Sequence, residues 1–182
     1  MLIARLRNLV LALRMLSTLD PEARRALRAV ASYVSEENIQ ARRFSGIDSS
    51  AVISPVASLR FAERVRIGAK ATLNPYSCVW GGWSRAWARI GPGALIGTGA
   101  VVVAGRHAIH SELALRDTGF EEADVTVGAG AGISANAIVI GCRVGENAIV
   151  GPSSVVTRDV PDGAIAVGMP ARVVGYRSPP PD

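Results

Sequence analysis

Aromatic side chains make up only 5% of the 182 residues: three Trp, three Tyr and three Phe. A core with so few rings has to be filled by small and branched aliphatic residues, and at 49% apolar content there are enough of them for one sizeable domain. Cysteine is scarce as well. Cys78 and Cys142 stand far apart, which excludes a disulfide framework and a multi-cysteine zinc site. Both read as small core residues, compatible with a reducing cytoplasm. Lysine is nearly absent, since all but one of the 20 basic residues are arginine. The net charge of +5 invites a nucleic-acid reading, because guanidinium groups grip phosphates well. Yet the arginines are spread along the chain and no nucleic-acid motif accompanies them. The expectation is no nucleic acid, and a basic surface suited to an anionic ligand. No run approaches the roughly 18 apolar residues of a membrane span. Arg5, Arg7 and Arg14 interrupt the N-terminal apolar stretch where a signal peptide needs continuity.

What the chain does have is periodicity of two kinds. Leu2, Ile3, Leu6, Leu9, Val10, Leu13 and Leu16 follow helical spacing, so residues 2–17 read as an amphipathic helix. Its arginines flank an apolar stripe, which allows peripheral contact with a membrane surface. Packing on the domain or on a neighbouring subunit is the favoured reading. Asp20 is a good N-cap, followed by Pro21 at the first helical position and Glu22 in the first turn. A second helix is predicted from there to about residue 38, with Ala23, Leu27, Val30 and Val34 on one face. Residues 1–46 therefore form an N-terminal helical segment, serving as a cap or a subunit contact.

From Ile47 the period becomes six. Ile47, Ile53 and Leu59 open a pattern that recurs at Ile67, Leu73 and Val79, at Ile90, Ile96 and Val102, at Val127, Ile133 and Val139, and at Val144, Val150 and Val156. Small residues follow four positions after the first two anchors of each block: Ala51 and Ala57, Ala71 and Ser77, Ala94 and Ala100, Ala131 and Ala137, Ala148 and Ser154. Neither a helical period nor simple strand alternation gives a strict six. Each hexapeptide supplies a short extended piece and a corner, with the anchor pointing inward. Glycine often follows the anchor, where a tight turn or a close backbone approach requires it. Layers of this kind bury their apolar faces only against one another, which makes a solenoid.

Two interruptions stand out. PYSCVWGGWSRAW, residues 75–87, carries Tyr76, Trp80, Trp83 and Trp87. Residues 106–124 break the repeat a second time and hold the only two histidines, His107 and His110. An imidazole has an unperturbed pKa of about 6.5 and can accept a proton from a hydroxyl at neutral pH. The tryptophans suit either the face of a sugar or a covering for the solenoid wall. Glu112, Asp117, Glu121, Glu122 and Asp124 lie near in sequence. One of them could orient the ring, although a solvated acidic loop is the plainer role for most.

The five blocks, HAIHSEL at 107–113 and VVTRDVPDGAIAVGMPARVV at 155–174 together resemble the hexapeptide-repeat acyltransferases, in their sugar and xenobiotic O-acetyltransferase branch. The resemblance covers roughly residues 47–173. It implies a mainly β fold, a left-handed parallel β-helix of about five coils over residues 47–160, with an excursion loop at 106–124. Residues 161–182 would be a C-terminal tail or cap. It implies an acetyl-CoA-dependent O-acetyltransferase acting on a sugar or polysaccharide precursor hydroxyl, and a homotrimer with sites between subunits; the cytoplasm is the expected location. The family's catalytic histidine falls on His107, with His110 as runner-up. Its coenzyme A contacts fall on Ala135, Pro152, Thr157, Arg158 and Arg172, and Tyr76, Trp80 and Trp83 are candidates for the acceptor. A thiolate is a good leaving group, so neither a metal nor an acyl-enzyme is expected. The chain departs from the family pattern at Gly132, where a tryptophan is usual, at Ser134 in place of glycine, and between Val139 and Val144, where one residue is missing.

Two other readings remain. A non-enzymatic scaffold solenoid would keep the repeats and lose the donor site. A γ-class carbonic anhydrase-like enzyme needs three histidines per zinc, shared across an interface, and this chain has two.

Overall fold

In a computed structural model of the chain, residues 20–34, 41–44, 46–109, 114 and 117–177 are described. The helix expected at 2–17 and His110 lie outside them. Among the described residues no helix is long and apolar enough to cross a membrane.

The six-residue period becomes three walls. Each hexapeptide forms a strand of two or three residues, and each strand pairs in parallel with its counterparts in the neighbouring coils. Ile47, Ile67, Ile90, Val127 and Val144 align in register along the first wall. Ile53, Leu73, Ile96, Ile133 and Val150 align along the second. Leu59, Val79, Val102, Val139 and Val156 align along the third. From Leu59 onward every anchor is at most 3% exposed. Each such side chain contributes about 1.5–3 kcal/mol of burial, which compensates for the shortage of aromatic rings. Ile47 and Ile53, on the edge strands of their walls among the described residues, are only partly buried.

The small residues are the second requirement. Parallel strands stack at about 4.8 Å, so the inward position beside each corner admits little more than a methyl group. Ala57, Ala71, Ala94, Ala100, Ala131, Ala137 and Ala148 are buried there. Where serine stands instead its hydroxyl has a partner. Ser77 donates to the Asn74 carbonyl at 2.8 Å, and Ser154 accepts the Gly168 N–H at 3.0 Å.

The glycines after the anchors serve close approach, and the turns are made elsewhere. A Cβ on Gly91 would lie 2.6 Å from the Ala129 nitrogen, and one on Gly128 would lie 2.5 Å from that of Glu146. In the second to fifth coils the left-handed residue of each corner comes two positions later. It is Lys70, Gly93, Gly130 and Asn147 between the first and second walls, and Tyr76, Gly99, Asn136 and Ser153 between the second and third.

The missing residue between Val139 and Val144 is absorbed at one corner. Gly141 takes a left-handed conformation (φ +52°) and donates its N–H to the Val103 carbonyl at 3.0 Å. Cys142 then turns inward and is buried, with its Sγ 3.7 Å from the Val156 carbonyl oxygen. Burial, assisted by the nearby Asp159 charge, pushes its thiol up to about 11. The Val127–Val144 pairing survives the deletion.

The ends differ. At the N-terminal side a helix runs over Pro21–Val34, and Asp20 caps it by accepting the Ala23 N–H at 2.9 Å. Its extension toward residue 38 lies outside the described residues. Leu27 is 45% exposed, so it is not covered by the solenoid. At the other end Ala164–Gly168 continues the second wall in parallel, and Ala171–Tyr176 folds back antiparallel on it. The expected tail is thus a β-hairpin closing one wall.

Candidate active site

Each coil has to pass from its third wall to the first wall of the next, and both interruptions of the repeat occur at that corner. Residues 81–87 leave it between the second and third coils, and residues 104–124 between the third and fourth. The longer excursion is partly strand. Gly105–His107 pairs antiparallel with Phe120–Glu122, placing Gly105 opposite Glu122, Arg106 opposite Glu121 and His107 opposite Phe120. Strand alternation puts His107, Phe120 and Glu122 on one face of this ribbon and the Arg106–Glu121 ion pair (2.8 Å) on the other.

His107 is half-buried. Its ring centroid lies 4.2 Å from that of Phe120, tilted by 36°. Its Nδ1 is buried and has no hydrogen-bond partner among the described residues. Three acidic side chains of the excursion, Glu121, Glu122 and Asp124, are engaged elsewhere. Glu121 holds Arg106. Asp124 accepts the Trp87 N–H at 2.8 Å and pairs with Arg89 at 2.6 Å, and the Arg89 hydrogen bond leads the effects that hold its carboxyl below the usual range.

Glu122 ties the two interruptions together. Its Oε1 accepts the Ser84 N–H at 2.7 Å and the Ser84 hydroxyl at 3.2 Å. Its Oε2 accepts the N–H groups of Arg85 at 2.8 Å and Ala86 at 3.0 Å. Burial acts to raise the Glu122 pKa, but the hydrogen bonds from Ala86, Arg85 and Ser84 outweigh it and hold the carboxyl at about 2. The tryptophan segment has a second tether in Arg64, which donates to the carbonyls of Gly82 at 2.8 Å and Trp83 at 2.6 Å. Between these tethers Trp83 lies parallel to Phe120, with centroids 6.0 Å apart and 6° between planes. Phe61 meets Trp83 edge-on at 5.3 Å. Four rings therefore run in series: Phe61, Trp83, Phe120, His107.

The three acceptor candidates do not form one cluster. Trp80 and Trp83 line a shallow hollow of about 50 Å³ with Phe61 and Phe120. Trp80 lies along the third wall, its indole N–H donating to Ser58 Oγ at 3.0 Å and Arg60 stacking on its ring at 4.7 Å. Trp83 is 62% exposed. Tyr76 stands at the corner between the second and third walls, left-handed and exposed.

The donor candidates flank the third wall. Ala135 and Pro152 sit at its entry, beside the left-handed Asn136 and Ser153. Thr157 sits at its exit and lines a cleft of about 190 Å³ with Gly105, Arg106, Glu121 and Gly141. Arg158 and Arg172 share a neighbouring cleft of about 160 Å³. The outer surface at Gly132 is bare: a Cβ there would meet nothing within 4 Å. Among the described residues no three His, Cys, Asp or Glu side chains gather as metal ligands.

Sequence reasoning missed Phe61 and Phe120, and it left Glu122 among the solvated acids. A signal for Phe120 was present, since it is the only aromatic residue between Trp87 and Tyr176.

The architecture is that of the hexapeptide-repeat acetyltransferases. A hexapeptide-repeat acetyltransferase of Vibrio cholerae, solved with acetyl coenzyme A, superimposes with a TM-score of 0.66 at 21% identity, covering 87% of this chain and 91% of that one. Its fold is the left-handed parallel β-helix, and this chain has the same fold. Two curated relatives resemble the chain in sequence. A dTDP-3-amino-3,6-dideoxy-alpha-D-galactopyranose 3-N-acetyltransferase of Aneurinibacillus thermoaerophilus is 56% identical over 48 residues, which is 26% of this chain and 25% of that protein. The galactoside O-acetyltransferase of Escherichia coli K12 is 24% identical over 140 residues, 76% of this chain and 66% of that protein. The matches thus span a quarter and about two thirds of those relatives. No family model matches the chain.

Proposed function

We propose that the protein is a coenzyme A-dependent O-acyltransferase, moving an acetyl group from acetyl-CoA to a hydroxyl of a sugar or polysaccharide precursor, with His107 as general base. The observation that carries this reading is the placement of His107. It stands on the ribbon that leaves the third wall, with the Trp80–Trp83 hollow and the Thr157 cleft sharing Gly105 and Glu122 of that ribbon as common lining. Acceptor on one side and donor on the other would meet at the ribbon that carries the imidazole.

The chemistry follows from what the residues can do. With Nδ1 buried, Nε2 is the nitrogen assigned to the acceptor. It takes the hydroxyl proton as the oxygen attacks the thioester carbonyl. The tetrahedral intermediate collapses by breaking the C–S bond, and the imidazolium returns the proton to the departing sulfur. No bond to the protein forms. The donor would run beside the third wall past Ala135 and Pro152 to Thr157, with Arg158 and Arg172 available to phosphate groups. The acceptor would lie on the Trp80–Trp83 side. The sugar class of acceptor is supported by the galactoside and dTDP-sugar enzymes that the chain resembles.

A homotrimer in the cytoplasm completes the reading. Association between copies is supported by Val167, Met169, Val173, Val174 and Tyr176, a group of uncovered apolar side chains on the terminal hairpin. The test is thiol release from acetyl-CoA across a panel of sugars and glycosides, with the acetylated product and the intact protein both weighed by mass spectrometry. Acetylated sugar with an unmodified protein is expected. An acyl-protein adduct would refute direct transfer. Absence of both product and coenzyme A binding heat would favour a scaffold.

A further inference from the structure

A histidine base is usually held by a hydrogen bond from its second nitrogen to a carboxylate or a carbonyl. Here Glu121, Glu122 and Asp124 are engaged with other partners, and the contact that His107 does show is with the Phe120 ring. Phe120 is exposed at 49%, so the solenoid does not hold it. Trp83 lies against it, and Trp83 belongs to a segment from another coil. That segment carries no regular structure of its own over residues 81–87. What fastens it to the ribbon is the Glu122 carboxylate, which accepts three successive backbone N–H groups and one hydroxyl.

We propose that Glu122 is a positioning residue for His107, acting through Trp83 and Phe120. Glu122 and Phe120 lie on the same strand and on the same face of the ribbon as His107. By gripping residues 84–86, Glu122 sets Trp83 beside Phe120, and the stacked pair limits the tilt of the imidazole. Ring contacts of this kind favour one mutual geometry beyond the area they bury, which selects an orientation for a ring whose Nδ1 has no hydrogen-bond partner among the described residues. Both carboxylate oxygens are needed. In Glu122→Gln an amide NH2 would face N–H donors, so part of the grip is replaced by repulsion between donors. Gly82 is part of the same device, since a Cβ there would lie 2.7 Å from Glu122 Oε2.

The proposal rests on His107 as the base, and its test separates the two claims. The chain has only two histidines. In protein labelled at histidine 13Cε1, the His107 Hε1 signal is identified by its persistence in His110→Gln. Glu122→Gln and Trp83→Ala are each expected to move that signal, because the Phe120 ring current on it changes. Glu122→Asp should move it less. In transfer assays both variants are expected to lower kcat about tenfold, within the range that small misplacement of a catalytic group produces. The KM for acetyl-CoA should change less than about twofold on the same principle. The double variant should lose no more than the worse single one, because both act through one contact. An unmoved His107 signal in both variants would overturn the proposal, as would losses that multiply. If the protein transfers no acetyl group, the proposed activity falls, and the His107 signal still decides whether Glu122 positions the ring.

Discussion

At the corner between the second and third walls, Tyr76, Gly99, Asn136 and Ser153 repeat one left-handed turn in coil after coil. The N–H groups of Gly99, Asn136 and Ser153 donate to Pro75, Thr98 and Ala135 of the preceding coil at 2.9–3.1 Å. At the corner that leaves the third wall no two coils agree. The first uses Phe61 and a single 3-10 turn at Ala62–Arg64. The second inserts the tryptophan segment, the third the His107 ribbon, and the fourth closes a residue early at Gly141. A solenoid can vary one corner freely because its core depends only on the anchors inside each coil and on contacts with adjacent coils. The regular corner keeps the stack in register. The irregular one gathers side chains from four coils on one edge, and there the rings and charged groups of the candidate site are found.

Four perturbations test that contrast. The largest effect is expected in the walls. Ile133→Ala removes a fully buried anchor and should destabilise the protein by about 2–5 kcal/mol in urea unfolding, far more than Phe120→Leu at the irregular corner. Gly128→Ala comes next. Its new Cβ would press on the Glu146 backbone, at a cost of about 1–3 kcal/mol. A smaller effect of opposite sign is expected from Tyr76→Gly, which relieves a left-handed tyrosine and should stabilise by about 1 kcal/mol. Its acceptor KM should change less than that of Trp83→Ala, and the reverse order would move the acceptor to the regular corner. The smallest is a pH effect. Glu122 has a folded pKa of about 2, depressed from an ordinary value of 4.5. Its stabilisation is complete above about pH 4.5 and is lost as the pH falls through 2. Thermal melts from pH 5 to 2 should therefore fall more steeply for the wild type than for Glu122→Gln.

The walls were legible from residue spacing because a three-walled coil needs an apolar anchor every six residues and a small residue at a constant offset. Ile96 and Ala100, or Ile133 and Ala137, state that need directly. The corners were less legible. Gly91 and Gly128 were assigned to a turn or a close approach, and only the structure shows that they serve close approach while Gly93 and Gly130 make the turns. The candidate site was legible only as a place to look: an interruption with a histidine next to an interruption with tryptophans. Its internal contacts were not. Glu122 is 36 residues from Ala86, and no local pattern announces a carboxylate that binds a distant backbone. Phe120 carried a signal through its rarity, but its meaning depends on an antiparallel pairing that the parallel repeats do not suggest.

The central claim is that His107, placed by the irregular corner, takes the acceptor's proton. The most direct measurement is the rate of thiol release from acetyl-CoA by wild type, His107→Ala and His110→Ala, with an acceptor found active in the panel. A fall of about 10²–10⁴-fold is expected for His107→Ala, the usual contribution of a general base, and a far smaller one for His110→Ala. Full activity in His107→Ala would contradict it.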